Sequence, residues 1–302
     1  MTVPAVTPDL PSRRWRALLA LVGRLPQAGL SRSLGRLADV PLPRKLRRTV
    51  LGRFASALGI DASEAELPLE EYETLNRFFV RRLRPGVRAW PGDPDLVTSP
   101  VDGILGQMGE ISAGRLIQAK GRDYAAEALL RDRQEAADFE GGLFLTLYLS
   151  PRHYHRIHAP AAGVICRARH VPGALLPVNE PSVAHVEDLF ARNERLLCHL
   201  DGKHGRIAVI AVGAYNVGRI SAAFDPDWGG GTDRPWVTNR PDDVPADRIY
   251  DPPVDVERGE EIMAFHLGST VVLLFQPDRV HLDIDLYPGR ELQLGDVLAH
   301  PT

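Results

Sequence analysis

The sequence predicts an α+β fold: a β-rich domain of antiparallel sheets with short helical insertions over residues 91–302, preceded by a helical N-terminal segment over residues 1–90. Three observations predict it. Apolar residues recur at helical spacing within the first ninety positions. After Asp95 the texture changes to short β-type runs, and 25 prolines and 27 glycines supply turns that suit strands better than a helical bundle. With 302 residues, 44% hydrophobic and 25% charged, the chain can bury a sizeable core and lacks the composition of a disordered one.

In chain order, Trp15, Leu18, Leu19 and Val22 fall at i, i+3, i+4 and i+7, one apolar stripe on a first helix. A second helical pattern covers Arg44 to Leu58. A third runs from Pro68 to Leu83 with Tyr72, Leu75 and Phe79 on one side. The runs Leu143 to Leu149, Gly163 to Ala168, Ile207 to Val212, Val271 to Phe275 and Leu282 to Leu286 read as strands. In the last, Leu282, Ile284 and Leu286 alternate with Asp283 and Asp285, which predicts one buried and one wet face. Helical insertions are predicted at Tyr124 to Arg131 and Val183 to Asn193. The segment Asp225 to Glu260, rich in Pro, Asp and Gly, has little periodicity and is expected to be a long loop, either a lid or a disordered excursion.

Charge is distributed unevenly. Residues 1–60 hold eleven of the 36 basic residues and two of the 39 acidic ones, so a cationic end joins an acidic body. Basic amphipathic helices of this kind fit a membrane interface, and the alternative is packing on the body with ordinary exposed arginines. No apolar run approaches the roughly 20 residues needed to span a bilayer. The apolar stretch Ala17 to Gly23 is closed by Arg16 and Arg24 and is a poor secretory signal. Two cysteines, Cys166 and Cys198, make no disulfide framework and favour a reducing compartment.

Three places carry residues capable of chemistry. His153, His155 and His158 lie within six positions at a strand exit after Ser150-Pro151. On a regular strand His153 and His155 share a face and His158 opposes them, whereas a turn after the proline lets His155 and His158 converge. General acid–base work is favoured, because an imidazole titrates near neutrality. A zinc site or role-free surface histidines are the alternatives, and no cysteine or spaced carboxylate completes a zinc set. Asp102, in Ser99-Pro100-Val101-Asp102-Gly103, reads most simply as a turn residue capping backbone N–H groups, but a histidine base also needs a carboxylate to orient it. Gly268-Ser269 directly precedes a predicted strand. A hydrolase nucleophile elbow wants a strand-to-helix turn, so this serine is poorly placed for one. It is better placed to attack the carbonyl of the glycine before it, although an ordinary Gly-Ser turn is the simpler reading.

Together these segments resemble one family. Ser99-Pro100-Val101-Asp102-Gly103, Tyr148-Leu149-Ser150-Pro151, Tyr154-His155-Arg156-Ile157-His158 and Leu267-Gly268-Ser269-Thr270 are similar, in order, to the motifs of bacterial-type phosphatidylserine decarboxylases. So are Gln118-Ala119-Lys120-Gly121 with Tyr124, Val171-Pro172-Gly173 with Val178-Asn179, Leu189 to Arg195, and Asn76-Arg77-Phe78-Phe79-Val80 with Leu83-Arg84-Pro85. The resemblance runs from about residue 70 to the C-terminus, and the N-terminal helices fit more loosely.

The resemblance implies that Asp102, His158 and Ser269 form a self-cleavage triad. His158 would take the Ser269 proton, Asp102 would orient His158, and cleavage between Gly268 and Ser269 would yield chains 1–268 and 269–302. Residue 269 would become a covalent pyruvoyl group (the pyruvate cofactor). That group would decarboxylate phosphatidylserine to phosphatidylethanolamine through a Schiff base, with His155 serving the decarboxylation step. It also implies a homodimer, a zymogen of phospholipid biosynthesis, peripheral on the cytoplasmic face of the cell membrane, with an anionic membrane as partner and no nucleic acid. Two positions depart from the family pattern. His153 stands where an acidic or other polar residue is usual, and His266 where a lysine or another residue is frequent, so neither is given a role. A serine esterase, a non-enzymatic membrane-binding module and a pyruvoyl enzyme for a soluble amino acid are the competing readings.

Overall fold

The computed structural model describes residues 35–119, 121–214, 219–228, 238, 244–266 and 270–302. The predicted helix at Trp15 to Val22 lies outside them, as do Gly268 and Ser269. Helix α1 spans Arg44–Leu58, as its periodicity predicts, and ends where Gly59 takes a left-handed φ of 71°. It buries Leu51 and Ala55, while Arg44, Lys45, Arg48 and Arg53 face solvent. The predicted Pro68–Leu83 helix is corrected. A 3₁₀ turn at Leu69–Glu71 is followed by a break, and α2 covers only Leu75–Phe79. Thr74 causes the break, because its side chain accepts from the Arg77 amide and starts a new helix. Tyr72 and Phe79 still reach one cluster with Leu51 and Phe78.

The remainder is antiparallel. The strands are β1 (Val97–Thr98), β2 (Gly103–Glu110), β3 (Arg115–Ala119), β4 (Arg122–Ala125), β5 (Leu143–Tyr148), β6 (Arg156–His158), β7 (Gly163–Val171), β8 (Arg195–Gly202), β9 (Gly205–Val212), β10 (Ile220–Ala222), β11 (Ala246–Val256), β12 (Glu261–Phe265), β13 (Thr270–Phe275), β14 (Val280–Leu282), β15 (Glu291–Leu292) and β16 (Val297–Pro301). The short helices α3 (Ala126–Leu130), α4 (Arg133–Ala137), α5 (Glu180–His185) and α6 (Leu189–Arg192) occupy the two predicted helical insertions and their flanks.

An eight-stranded sheet runs β11-β7-β8-β9-β13-β5-β2-β15. The Thr270-Val-Val-Leu-Leu-Phe275 run forms β13 between β5 and β9, and all six of its residues are buried. A strand apolar on both faces must be covered on both, and here it is. Val271, Leu273 and Phe275 join the core shared with the three-stranded sheets β10-β12-β6 and β1-β16-β14. Val272 and Leu274 join the core under β3, β4 and the short helices.

Two strand expectations are corrected. Leu282–Leu286 is not a strand beyond Leu282. The Asp283 side chain accepts from the Asp285 amide and its carbonyl from the Leu286 amide, which turns the chain and leaves Ile284 96% exposed. Conversely, the unpatterned Asp225–Glu260 segment contains the eleven-residue β11, a half-exposed edge strand paired to β7. Its Asp and Pro content hid the alternation. Among the described residues no helix is long and apolar enough to cross a membrane.

Candidate active site

After β5, Ser150-Pro151 opens a tight turn in which the His153 amide bonds the Ser150 carbonyl. This sets a relay of tautomers. His153 Nδ1 accepts from the Ser150 amide at 3.0 Å, which leaves its Nε2 to donate towards Glu291 at 3.4 Å. The His153 carbonyl in turn accepts from His155 Nδ1 at 2.8 Å. His155 therefore carries its proton on Nδ1 and points a bare Nε2 lone pair into the interior, where it has no partner among the described residues. The ring is fully buried and lies 4.1 Å from that of Phe79. Burial first, then the Arg81 charge, push the His155 pKa down to about 3. His155 is neutral at any physiological pH.

His158 does not converge on His155. Its Nδ1 donates to the Gly259 carbonyl at 2.7 Å, and its Nε2 accepts from the Tyr154 hydroxyl at 3.0 Å. Burial lowers its pKa, while the Gly259 carbonyl acts to raise it. Its tautomer, like that of His155, leaves Nε2 as the base.

Asp102 ends the Ser99-Pro100-Val101 turn, which the Ser99 hydroxyl pins by donating to the Val101 carbonyl. Gly103 follows because a Cβ there would stand 2.9 Å from the Tyr148 carbonyl oxygen of β5. Among the described residues no hydrogen bond joins His158 to the Asp102 carboxylate, whose two oxygens accept from other donors. Arg88 Nε reaches Oδ1 at 2.9 Å and Arg88 Nη2 reaches Oδ2 at 2.5 Å, while the Leu294 amide donates to Oδ1 at 2.8 Å. Arg88 also forks onto Glu64 at 2.8 and 2.9 Å. Burial opposes its charge, but hydrogen bonds to Asp102 and Glu64 outweigh it, and its pKa rises. Among the described residues the hydrogen-bond partners of His158 are the Gly259 carbonyl and the Tyr154 hydroxyl, and the Asp102 charge acts to raise its pKa.

Gly268 and Ser269 lie outside the described residues, but the chain on either side is well defined. The Phe265 amide at the end of β12 bonds the His155 carbonyl at 2.9 Å. Thr270 opens β13 opposite Tyr148 and Val212, with its hydroxyl buried and without a partner among the described residues. The 267–269 link therefore joins the end of β12, the middle strand of its three-stranded sheet, to β13 in the interior of the eight-stranded sheet. Between these points His266 is buried, with Nδ1 3.3 Å from Asn76 Oδ1 and Nε2 3.2 Å from Ser221 Oγ.

Two cavities flank the site. The larger, about 990 Å³, is lined by Tyr72, Arg77, Arg81, Arg156, Ser221 and His266 among others. The smaller, about 250 Å³, is lined by Arg88, Trp90, Tyr154, His158, Gly259 and Leu294 among others. Arg82 and Glu261 line both, and Glu261 is held by Arg156 and Arg82. Sequence reasoning missed Arg88, Tyr154 as a partner of His158, and the Gly259 carbonyl. Only Tyr154 carried a signal, through its place in the histidine motif.

The family model described as phosphatidylserine decarboxylase matches residues 75–300. The chain belongs to the phosphatidylserine decarboxylase family. It is 45% identical over 284 residues to a phosphatidylserine decarboxylase proenzyme of Anaeromyxobacter sp. (strain K), covering 94% of this chain and 98% of that one. Proteins of the same name from Myxococcus xanthus and Brevibacillus brevis are 40% identical over 280 residues and 38% over 287. These cover 93% and 94% of this chain, and 96% and 98% of theirs. Membership makes the chain an enzyme of the decarboxylase class, as its motifs led one to expect, and the match runs from α2 into the last described strand, β16. Several family-like motifs serve the fold rather than the chemistry. Gln118 bonds the Val183 and Val186 carbonyls and the Leu189 amide, tying β3 to α5 and α6. Buried Arg195 donates to four backbone carbonyls, those of Ala128, Leu129, Ala191 and Asn193.

Proposed function

We propose that the chain is a phosphatidylserine decarboxylase proenzyme that cuts itself between Gly268 and Ser269 and converts phosphatidylserine to phosphatidylethanolamine. The observation that carries this reading is a pair of buried polar atoms without a partner among the described residues: His155 Nε2, on a residue whose carbonyl bonds the Phe265 amide before the 267–269 link, and the hydroxyl of Thr270, which follows it. A buried polar atom without a partner is costly, and a catalytic role is one reason for a fold to keep it.

In the cut, the Ser269 oxygen attacks the Gly268 carbonyl and His158 Nε2 receives the proton. Tyr154 holds that lone pair at rest, so the serine proton reaches it by displacing the tyrosine hydroxyl or by passing through it. The adduct collapses with breakage of the Gly268 C–Ser269 N bond, the freed amine taking the proton from His158, and the resulting ester eliminates as a base removes the α-proton of residue 269. The Gly268 carboxylate leaves with residues 1–268, and residue 269 becomes dehydroalanine, which takes up water and releases ammonia to leave a pyruvoyl cap. That cap supplies an electron sink when the substrate carboxylate departs as CO₂. His155, neutral and with its ring tilted against that of Phe79, serves the decarboxylation step by giving the departing carboxylate an uncharged wall.

The basic helices, including exposed Arg44, Lys45, Arg48 and Arg53 on α1, bring the enzyme to an anionic cytoplasmic membrane surface as a peripheral protein. A homodimer fits this reading. The catalytic body begins near residue 91 and the membrane-associating helical segment precedes it.

Intact mass and denaturing electrophoresis test it together. The wild-type chain of 33.3 kDa is expected as two fragments, 1–268 and a pyruvoyl-capped 269–302, and Ser269→Ala as one uncut band. A wild-type chain that stays whole while retaining serine-dependent ester hydrolysis overturns it in favour of an esterase. His155→Gln is expected to be cut yet to release no CO₂, and equal turnover of short-chain phosphatidylserine and free serine would sink the lipid assignment.

A further inference from the structure

The larger cavity is lined by a buried cation that has no hydrogen-bond acceptor for two of its nitrogens among the described residues. Arg81 is 1% exposed, lines this cavity, and finds no hydrogen-bond acceptor for Nε or Nη1. Its neighbours explain why. Glu64 and Asp102, the carboxylates that bear on it by charge, both give their oxygens to Arg88. The face of Phe78 lies 5.6 Å from its guanidinium carbon. By contrast, neighbouring Arg156 is satisfied, donating to the Val80 carbonyl and pairing with Glu261. Of the five acids in the lining, Glu66, Glu71 and Glu73 are exposed, where water screens them, Asp39 is taken by Arg219 and Asn76, and Glu261 by Arg156 and Arg82. An arginine stays charged in a protein interior, and an uncompensated buried charge is among the costliest features a fold can hold. A guanidinium fork held open in a cavity is shaped for a tetrahedral oxyanion.

We propose that Arg81 is the seat of the substrate's phosphodiester, an inference that rests on the chain being a phosphatidylserine decarboxylase. The substrate carries two anions, and chemistry separates them. A cation on the carboxylate that leaves would stabilise the ground state against loss of CO₂. The phosphodiester is unchanged through the reaction, so binding energy gathered there positions the reacting carbon without opposing the step. The uncharged surface made by His155 and Phe79 supplies the other half of the division: charge for the group that stays, none for the group that goes.

The test uses the self-cleaved enzyme with short-chain phosphatidylserine as substrate and short-chain phosphatidylethanolamine as competitive inhibitor. The inhibitor keeps the phosphodiester and lacks the carboxylate. Arg81→Met is expected to raise KM and the product's inhibition constant together, by roughly 10- to 100-fold, with kcat changed little. Arg81→Lys should recover part of the loss. Because Arg81→Met removes an unpaired buried charge, the unliganded protein should melt no lower than wild type. A higher KM with the product constant unchanged would place the carboxylate on Arg81 and overturn the proposal. No change in either constant, or a lower melting temperature, would also overturn it. Failure of the underlying reading looks different, as a wild-type chain that is never cut and never turns over.

Discussion

At the scale of single residues, the site works by engaging one nitrogen of each imidazole and so fixing the character of the other. His155 is the sharper case. Its folded pKa, about 3, lies below the ordinary 6.5, so below pH 6.5 the unfolded chain takes up a proton that the native ring refuses. The stability this ring contributes is complete above pH 6.5 and falls away as pH drops towards 3. His199, pushed down to about 4 by burial and then by nearby arginines, acts in the same sense. Denaturant midpoints measured from pH 7 to 4 should fall steadily, and His155→Phe should flatten that slope; an unchanged slope would contradict the buried neutral ring. Arg88 makes the opposite kind of contribution. Arg88→Leu strands Asp102 and Glu64 without their cation and is expected to cost about 3–5 kcal/mol, read by chemical denaturation, and to slow self-cleavage. These residue-scale links were only partly legible in the sequence. Asp102, His155 and His158 could be singled out as chemically capable types. The bond from Leu294 to Asp102 spans 192 positions, and the fork from Arg88 depends on how a loop folds back, so neither leaves a local pattern.

At the scale of elements, what the sequence made legible was wherever one period dominated. The runs in β5, β9 and β13 are continuous and apolar because both faces are covered, and the α1 stripe is regular because one face meets Phe78 and Phe79. The two failures have the same origin in short polar side chains. Asp283 bends a run that alternates well on paper, and the prolines and aspartates of β11 disguise an edge strand that alternates half-buried with exposed positions. The central strand carries the clearest prediction. Leu273→Ala opens a void in a core sealed from both sides and should cost about 2–5 kcal/mol in denaturant unfolding. Thr270→Val removes a buried hydroxyl that has no partner. It should raise the melting temperature and slow processing, and a variant that is both less stable and normally processed would argue against a role for that hydroxyl.

At the scale of the whole molecule, the 269–302 segment is woven into the body rather than appended to it. β13 is laddered to β5 and β9, β15 to β2, and β16 to β1. After cleavage both fragments should co-elute at one native size and part only in denaturant; separation in plain buffer would show that the weave does not hold. Charge acts over the same range. Neutralising most of the arginines in residues 13–53 should weaken binding to anionic vesicles in a salt-dependent way, with processing intact.

The position of β13 in mid-sheet has one more consequence. Chain ends ordinarily fray, since nothing beyond them resists motion. A cut just ahead of Thr270 would create an end whose very next residue is locked to two neighbours and 1% exposed. The new terminus would behave like the tip of a clamped rod. A reactive carbonyl mounted there would be aimed before any substrate arrived, and, being part of the chain, it would be lost neither to dilution nor to dialysis.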